Sequence, residues 1–244
     1  QLMDYLGQLN DNTSQVFSQS KKIRDFINKI INENSFVETD VFMGGETFSN
    51  SHAPGEGVVT GFAEINDYQV CVVAQNIDVL GGSLGKAHAD KILKCINRCI
   101  KTQTPLLSII ESNGARVGEG LSVLEGYSQI IAAASELKNH APHIAVIKGN
   151  AVGLMAMYAA TADFVFLGKK AVLSANPPLT LSNSASFSPQ NILGKEPYLK
   201  NSLLSGVSYD KPEQIAEGIT KLFAYLGDSV IESEDDPNRT ADIL

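Results

Sequence analysis

The chain has 244 residues, 43% of them hydrophobic, and a formal net charge of −8. That supplies apolar material for a sizeable core and argues against a disordered chain. The acidic balance argues against nonspecific binding to nucleic acid or to an anionic membrane surface, although a helix N-terminus can hold an anion inside an acidic protein.

Residues 1–20 are rich in Asn, Gln and Ser and show little periodicity. Lys22 to Asn34 place Ile23, Phe26, Ile27, Ile30 and Ile31 on one face of an amphipathic helix, so residues 1–40 read as an N-terminal helical extension packed outside the main domain. The segment Gly44 to Glu56 is loop-like. From Gly57 the pattern alternates. Val58–Ile65 and Gln69–Gln75 read as strands joined by the turn Asn66–Asp67. The loop Leu80-Gly81-Gly82-Ser83-Leu84-Gly85 leads into a helix over Lys86 to Thr102. Pro105–Ile110 is a buried strand, and the loop Glu111 to Gly120 opens a helix over Leu121 to Lys138. Ile144–Lys148 is another buried strand, after which Gly149-Asn150-Ala151-Val152-Gly153 opens a third helix. Phe164–Leu167 and Ala171–Ser174 are short strands, Asn176 to Pro197 is irregular, and Pro212 to Leu226 is a last amphipathic helix with Asp210 as its N-cap. A solvated tail follows from about residue 228. Strand, glycine loop and helix thus repeat three times after a hairpin, which predicts an α/β fold with a mostly parallel sheet. Ligands gather in such sheets where the carboxyl ends of strands meet helix N-termini.

Side chains with reactive chemistry are scarce. Gly-x-Ser-x-Gly, a phosphate-binding GxxxxGK[ST] loop and a dinucleotide fingerprint are all absent. His140 and His143 flank Pro142 in a loop and read as exposed; His88, one turn into a helix, reads as structural. Cys71, Cys95 and Cys99 form no CxxC pair. No disulfide framework or zinc site follows from their spacing; Cys95 and Cys99 read as small apolar residues, and the set suits a reducing compartment, the cytoplasm or an organelle matrix. No signal-type segment precedes the chain pattern, and the longest nearly apolar stretch, Val152 to Ala162, is too short to span a bilayer. The glycine junctions are what remains. A helix entered through Gly points its free N–H groups past the strand end, and two such groups on one oxygen stabilise a developing oxyanion.

The run Gly55-Glu56-Gly57-Val58-Val59-Thr60-Gly61-Phe62-Ala63-Glu64-Ile65-Asn66 resembles the opening hairpin of the biotin-dependent acyl-CoA carboxyltransferases, and Gly81 to Ile92 is similar to their first glycine loop and helix. Ser112-Asn113-Gly114-Ala115-Arg116, with Gly118-Glu119-Gly120 and Gly126-Tyr127, resembles the second. Ser35-Phe36-Val37-Glu38 and Thr161-Ala162-Asp163-Phe164 also fit, so the resemblance runs over residues 22–240. It implies a crotonase-like spiral of strand–strand–helix units over residues 41–244. It implies transfer of carboxylate from biotin, borne on a carrier protein, to the α-carbon of a short acyl-CoA, with biotin itself taking the α-proton. No metal is implied in this chain. By the same resemblance the backbone amides of Gly114, Ala115 and Gly153 are the oxyanion donors, and Gly82, Ser83, Gly85, Asn113, Arg116 and Leu154 line the pocket. Arg116 either holds its loop or faces an anionic group.

Two positions depart from the family pattern: Asn113 replaces a Gly, and Leu154 replaces the second Gly of a Gly-Gly pair. Implied partners are a homologous second carboxyltransferase half or subunit, a biotin carboxyl carrier protein and a biotin carboxylase, in a homo- or hetero-oligomer. Asp235-Asp236-Pro237 falls where a linker to a second half would begin. Two other readings stay open. One is a non-catalytic scaffold subunit. The other is a different crotonase-type reaction, a decarboxylation or a hydration, the latter with Glu119 or Glu125 as its carboxylate.

Overall fold

A computed structural model of the chain describes residues 13–44, 53–176, 193–194, 198–200 and 206–226. The expected hairpin is present as β2 (Val58–Ile65) and β3 (Tyr68–Gln75), paired from Val58↔Gln75 to Ile65↔Tyr68 around a two-residue turn. Asn66 takes φ +52° there, a left-handed angle that Asn tolerates better than most residues. A short strand β1 (Val37–Thr39) pairs antiparallel with the outer side of β2.

From β3 onward the sheet is parallel. β4 (Leu106–Ser112), β5 (His143–Val152) and β6 (Phe164–Leu167) follow one another in space, β8 (Gly206–Ser208) extends the edge, and β7 (Val172–Ser174) pairs with the far end of β5. Parallel neighbours require crossovers. Helix α2 (Lys86–Thr102) links β3 to β4, α3 (Leu121–Leu137) links β4 to β5, and the two-turn α4 (Leu154–Ala160) links β5 to β6.

Because strand side chains alternate between faces, one sheet feeds two cores. Cys71, Val73, Leu106, Ile110, Ala145 and Ile147 pack against α2 and α3 through Ile92, Ile96, Tyr127 and Ile130. On the other face Val72, Leu107, Ile109, Ile144 and Val146 meet Ile23 and Ile27 of α1 (Lys21–Asn28) and Ile215, Ile219 and Phe223 of α5 (Glu213–Leu226).

A boundary at residue 40 therefore falls inside the fold. Helix α1 is one lid of the second core, and β1 is an edge of the sheet. Arg24 reaches both carboxylate oxygens of Glu38 at 2.8 and 2.7 Å, and Asn32 exchanges hydrogen bonds of 2.7 and 2.8 Å with the main chain of Asn66. The expectation for His143 is also corrected: it is buried on β5, with Nε2 2.9 Å from Ser108 Oγ, and burial pushes its pKa down to about 3. The prediction of exposure failed because β5 runs longer at both ends than its apolar core suggests. His88 is structural, as its place on α2 implied. The expected irregular stretch is described only at its margins, and the expected tail lies outside the described residues.

Candidate functional site

The three glycine junctions meet along the carboxyl ends of β3, β4 and β5. Ser112 pairs with Ala151 at the top of β4 and β5, and the α-carbon of Gly114 faces the Val152 carbonyl. The first junction abuts the second: Asn113 N–H donates to Gly81 O at 3.1 Å, Leu84 N–H to Gly114 O at 3.0 Å, and Arg116 N–H to Leu84 O at 2.9 Å. Gly82 is required there. Its φ is +63°, and a Cβ would stand 2.1 Å from Glu111 O.

A buried charged tie runs beneath these loops. Arg116 Nη1 donates to Glu56 Oε2 at 2.7 Å and to Glu119 Oε1 at 2.8 Å, while Nη2 donates to Ser83 O at 3.2 Å. The other Glu119 oxygen accepts the backbone N–H of Lys86, the first residue of α2, at 2.7 Å. A carboxylate at a helix start is favoured by both the free amides and the helix dipole. Gly85 makes room for it, since a Cβ there would lie 2.4 Å from Glu119 Oε1. Around the tie, His88 Nδ1 donates to Glu56 O at 2.7 Å, which leaves Nε2 to accept from Gln75 Nε2 at 3.2 Å. Burial, reinforced by Arg116, pushes His88 down to about 3. Lys91 donates to Gly55 O at 3.0 Å and Val58 O at 2.6 Å, and burial pushes its ammonium down to about 8.

The backbone donors separate into spent and open. Gly114 N–H donates to Ser112 Oγ at 3.2 Å, and Gly153 N–H donates to Ser174 O at 2.8 Å. The first bond corrects the expectation for Gly114, and the second corrects that for Gly153. Strand β7 pairs with the end of β5, so the amide expected to be free belongs to the sheet ladder. The open amides at that junction are those of Leu154 and Met155, the first two residues of α4, which have no partner among the described residues. The exposed Ala115 amide likewise has none.

The remaining expected site residues fall into place around these. Ser83 and Gly85 belong to the buried tie. Asn113 accepts from Asn150 Nδ2 at 2.8 Å, a side-chain bridge from the second junction to the third. Leu154 is half-buried and packs on the margin of the first core. Of the two readings left open for Arg116, the structure selects loop-holding. Glu119 is bound into the same tie, and Glu125 accepts from Gln129 on the outer face of α3 at 3.1 Å, so neither carboxylate stands ready at the open amides. Glu56 and Lys91 were not singled out by sequence: Glu56 lies sixty residues before Arg116, and only the i, i+3 spacing of Arg116 and Glu119 hinted at half of the tie.

Among the described residues, Cys71, Cys95 and Cys99 have metal-ligand chemistry in common, with sulfur atoms within 4.8 Å of one another. Spacing alone concealed this convergence, because Cys71 comes from β3. All three are buried in the first core, under α2 rather than at the junctions. Clefts of about 570, 400 and 810 Å³ also lie elsewhere, beside β6, β8 and α5, at the margin of β2 near Arg98, and beside α1. Beside the junctions Val117, Leu121 and Leu124 stand exposed, at 82%, 81% and 53% of their full surface.

Residues 17–243 match the family model described as the carboxyl transferase domain. The chain is 30% identical over 236 residues to methylmalonyl-CoA decarboxylase subunit alpha of Veillonella parvula, covering 91% of this chain and 46% of that protein. It is 30% identical over 220 residues to the mitochondrial propionyl-CoA carboxylase beta chain of Homo sapiens, covering 87% and 40%. The chain therefore spans less than half the length of either relative. Among solved structures, transcarboxylase 12S with methylmalonyl-coenzyme A and methylmalonic acid bound superposes with a TM-score of 0.81 at 24% identity, over 91% of this chain and 47% of that one. A chain of the Pseudomonas malonate decarboxylase hetero-tetramer gives 0.75 at 22%, over 83% and 82%. At these identities the structural likeness speaks for the fold, which is crotonase-like as the resemblance implied.

Proposed function

The chain belongs to the carboxyl transferase domain family, and from that membership we propose that it is the acyl-CoA half of a biotin-dependent carboxyltransferase. In this reading it stabilises the enolate of a short acyl-CoA through the open amides of Ala115 and Leu154. The observation that carries the reading is the sorting of donors just described. Neighbouring amides at the same junctions are hydrogen-bonded within the protein, whereas these two have no partner among the described residues, at adjacent strand ends. Carboxybiotin on its carrier protein, when bound, supplies the carboxylate and the base for the α-proton. The site fits that division of labour, because its two nearby glutamates are committed elsewhere and, among the described residues, no general base is poised at the open amides. This chain's task is then to hold the thioester oxygen where negative charge develops, with donors that need no reorganisation.

Leu154 packs on the margin of the first core and Asn113 accepts from Asn150, so neither departure from the family pattern removes a donor. The exposed ridge of Val117, Leu121 and Leu124 supports a homologous second half or subunit covering the site, within an oligomer that includes the carrier protein and a biotin carboxylase. Three reduced, buried cysteines suit the cytoplasm or an organelle matrix, and no helix among the described residues is long and apolar enough to cross a membrane.

The test is the substitution Leu154→Pro in the assembled complex. Proline is tolerated at the first position of a helix and deletes the N–H in question; Leu154→Ala, which keeps that N–H, controls for the side chain packed on the first core. Turnover of acyl-CoA should fall by about 10²-fold or more, the scale of losing one oxyanion donor, while acyl-CoA affinity changes little. A folded variant that turns over normally would leave the scaffold reading in its place.

A further inference from the structure

Burying two carboxylates and a guanidinium costs desolvation that apolar residues of similar volume would avoid. Stability is therefore a poor account of the tie formed by Glu56, Arg116 and Glu119, and its placement offers a better one. Arg116 directly follows Ala115. The main chain on either side of Ala115 is bonded to the residue before Gly85, through Leu84 N–H to Gly114 O and Arg116 N–H to Leu84 O. The Arg116 side chain then folds back under the first loop to Ser83 O and across to Glu56, and Glu119 joins it to the first amide of α2. Turn, guanidinium, carboxylate and helix start close into one ring of contacts around the unpartnered Ala115 amide.

We infer that Arg116 and Glu119 are positioning residues: Glu119 fills the N-terminus of α2 where a ligand anion could otherwise sit, and through Arg116 it fixes the turn that presents the Ala115 amide. The identity of the oxygen met by that amide rests on the carboxyltransferase reading; the coupling of the two loops does not. The geometry requires a planar fork, because one guanidinium serves two carboxylates and a carbonyl along separate directions. A lysine ammonium supplies the charge without that fixed geometry.

Two variants and two measurements test this. Arg116→Lys keeps the charge and loses the fork. Glu119→Gln keeps an acceptor for the Lys86 amide and loses the charge facing Arg116, so it also serves should the first variant fail to fold. Amide hydrogen exchange is read on the full chain for peptides covering residues 80–90 and 112–120. In Arg116→Lys both peptides should exchange faster together, while the interior of α3 keeps its protection. Steady-state turnover of acyl-CoA by the assembled complex should show kcat reduced about 10²-fold, the scale of a small misplacement of a catalytic group, with KM nearly unchanged. Glu119→Gln should show the same pattern to a smaller extent. Faster exchange confined to one loop, or a folded Arg116→Lys with unaltered kcat, would overturn the inference. So would a rise in KM at constant kcat, which would make Arg116 a binding group. Should the wild-type complex turn over no acyl-CoA, the proposed function falls and the exchange experiment still decides the coupling.

Discussion

The junction from β3 into α2 and the junction from β5 into α4 are made of the same ingredients: a buried strand, glycine at positive φ, and a helix whose first amides face outward. At the first, Glu119 accepts from the Lys86 amide and Arg116 braces it from below. At the second, Gly153 N–H is taken up by Ser174, and the amides of Leu154 and Met155 have no partner among the described residues. Glycine at a strand–helix junction shows where amides can emerge. Whether they stay available depends on what the rest of the chain brings to them, and here one junction is closed by the protein's own anion while the other stays open.

The largest test of that contrast is Leu154→Pro, with its expected 10²-fold loss in kcat. The matching change at the closed junction, Lys86→Pro, removes an amide that serves Glu119. It should therefore lower the melting temperature and, by loosening the tie, reduce kcat less than Leu154→Pro does; equal kinetic signatures from the two prolines would erase the distinction. Next in size is Gly85→Ala. Its Cβ would press on Glu119 and Arg116 at 2.4 and 2.7 Å, and prying these buried partners apart should cost about 1–3 kcal/mol in denaturant unfolding. A neutral result would mean that the tie is slack.

Acid should distinguish the two junctions as well. His88 sits under the closed one with its pKa lowered to about 3 by burial, so the folded state holds it neutral where the unfolded chain, near 6.5, takes up a proton. Stability is then full above about pH 6.5 and falls toward pH 3, by about 1.4 kcal/mol per pH unit for this group alone. His88→Gln should flatten the acid limb of a stability–pH curve by that slope, and an unchanged limb would place the sensitivity elsewhere. The smallest effect on turnover is expected at the open junction. Gly153→Ala meets no atom within 4 Å, so its cost is confined to the backbone, which at φ +67° and ψ −135° is a conformation L residues avoid at about 1–3 kcal/mol, read as a fall in melting temperature with kcat little changed.

The alternation of strands, glycine loops and helices was legible in the sequence because it rests on local terms: apolar runs, a turn at Asn66–Asp67, and helix periodicity. Quoted motifs such as Ser112 to Arg116 pointed to the family for the same reason, since their spacing lies along the chain. The partners of those motifs did not show, because each is a contact between distant segments. Glu56 meets Arg116 across sixty residues, Ser174 claims Gly153 only because β7 turns back onto β5, and His143 is buried only because β5 extends into what reads as a loop. Residues 21–39 looked peripheral for want of any local sign that Ile23 and Ile27 close a core beneath β3, β4 and β5. The sequence by itself determined the α/β order and the places where backbone amides could emerge, since both follow from short-range sterics and hydrophobic periodicity. Tertiary structure alone decided which amides remain open, which charges are spent on one another and which thiols converge, since these depend on atoms that meet only after the sheet has formed.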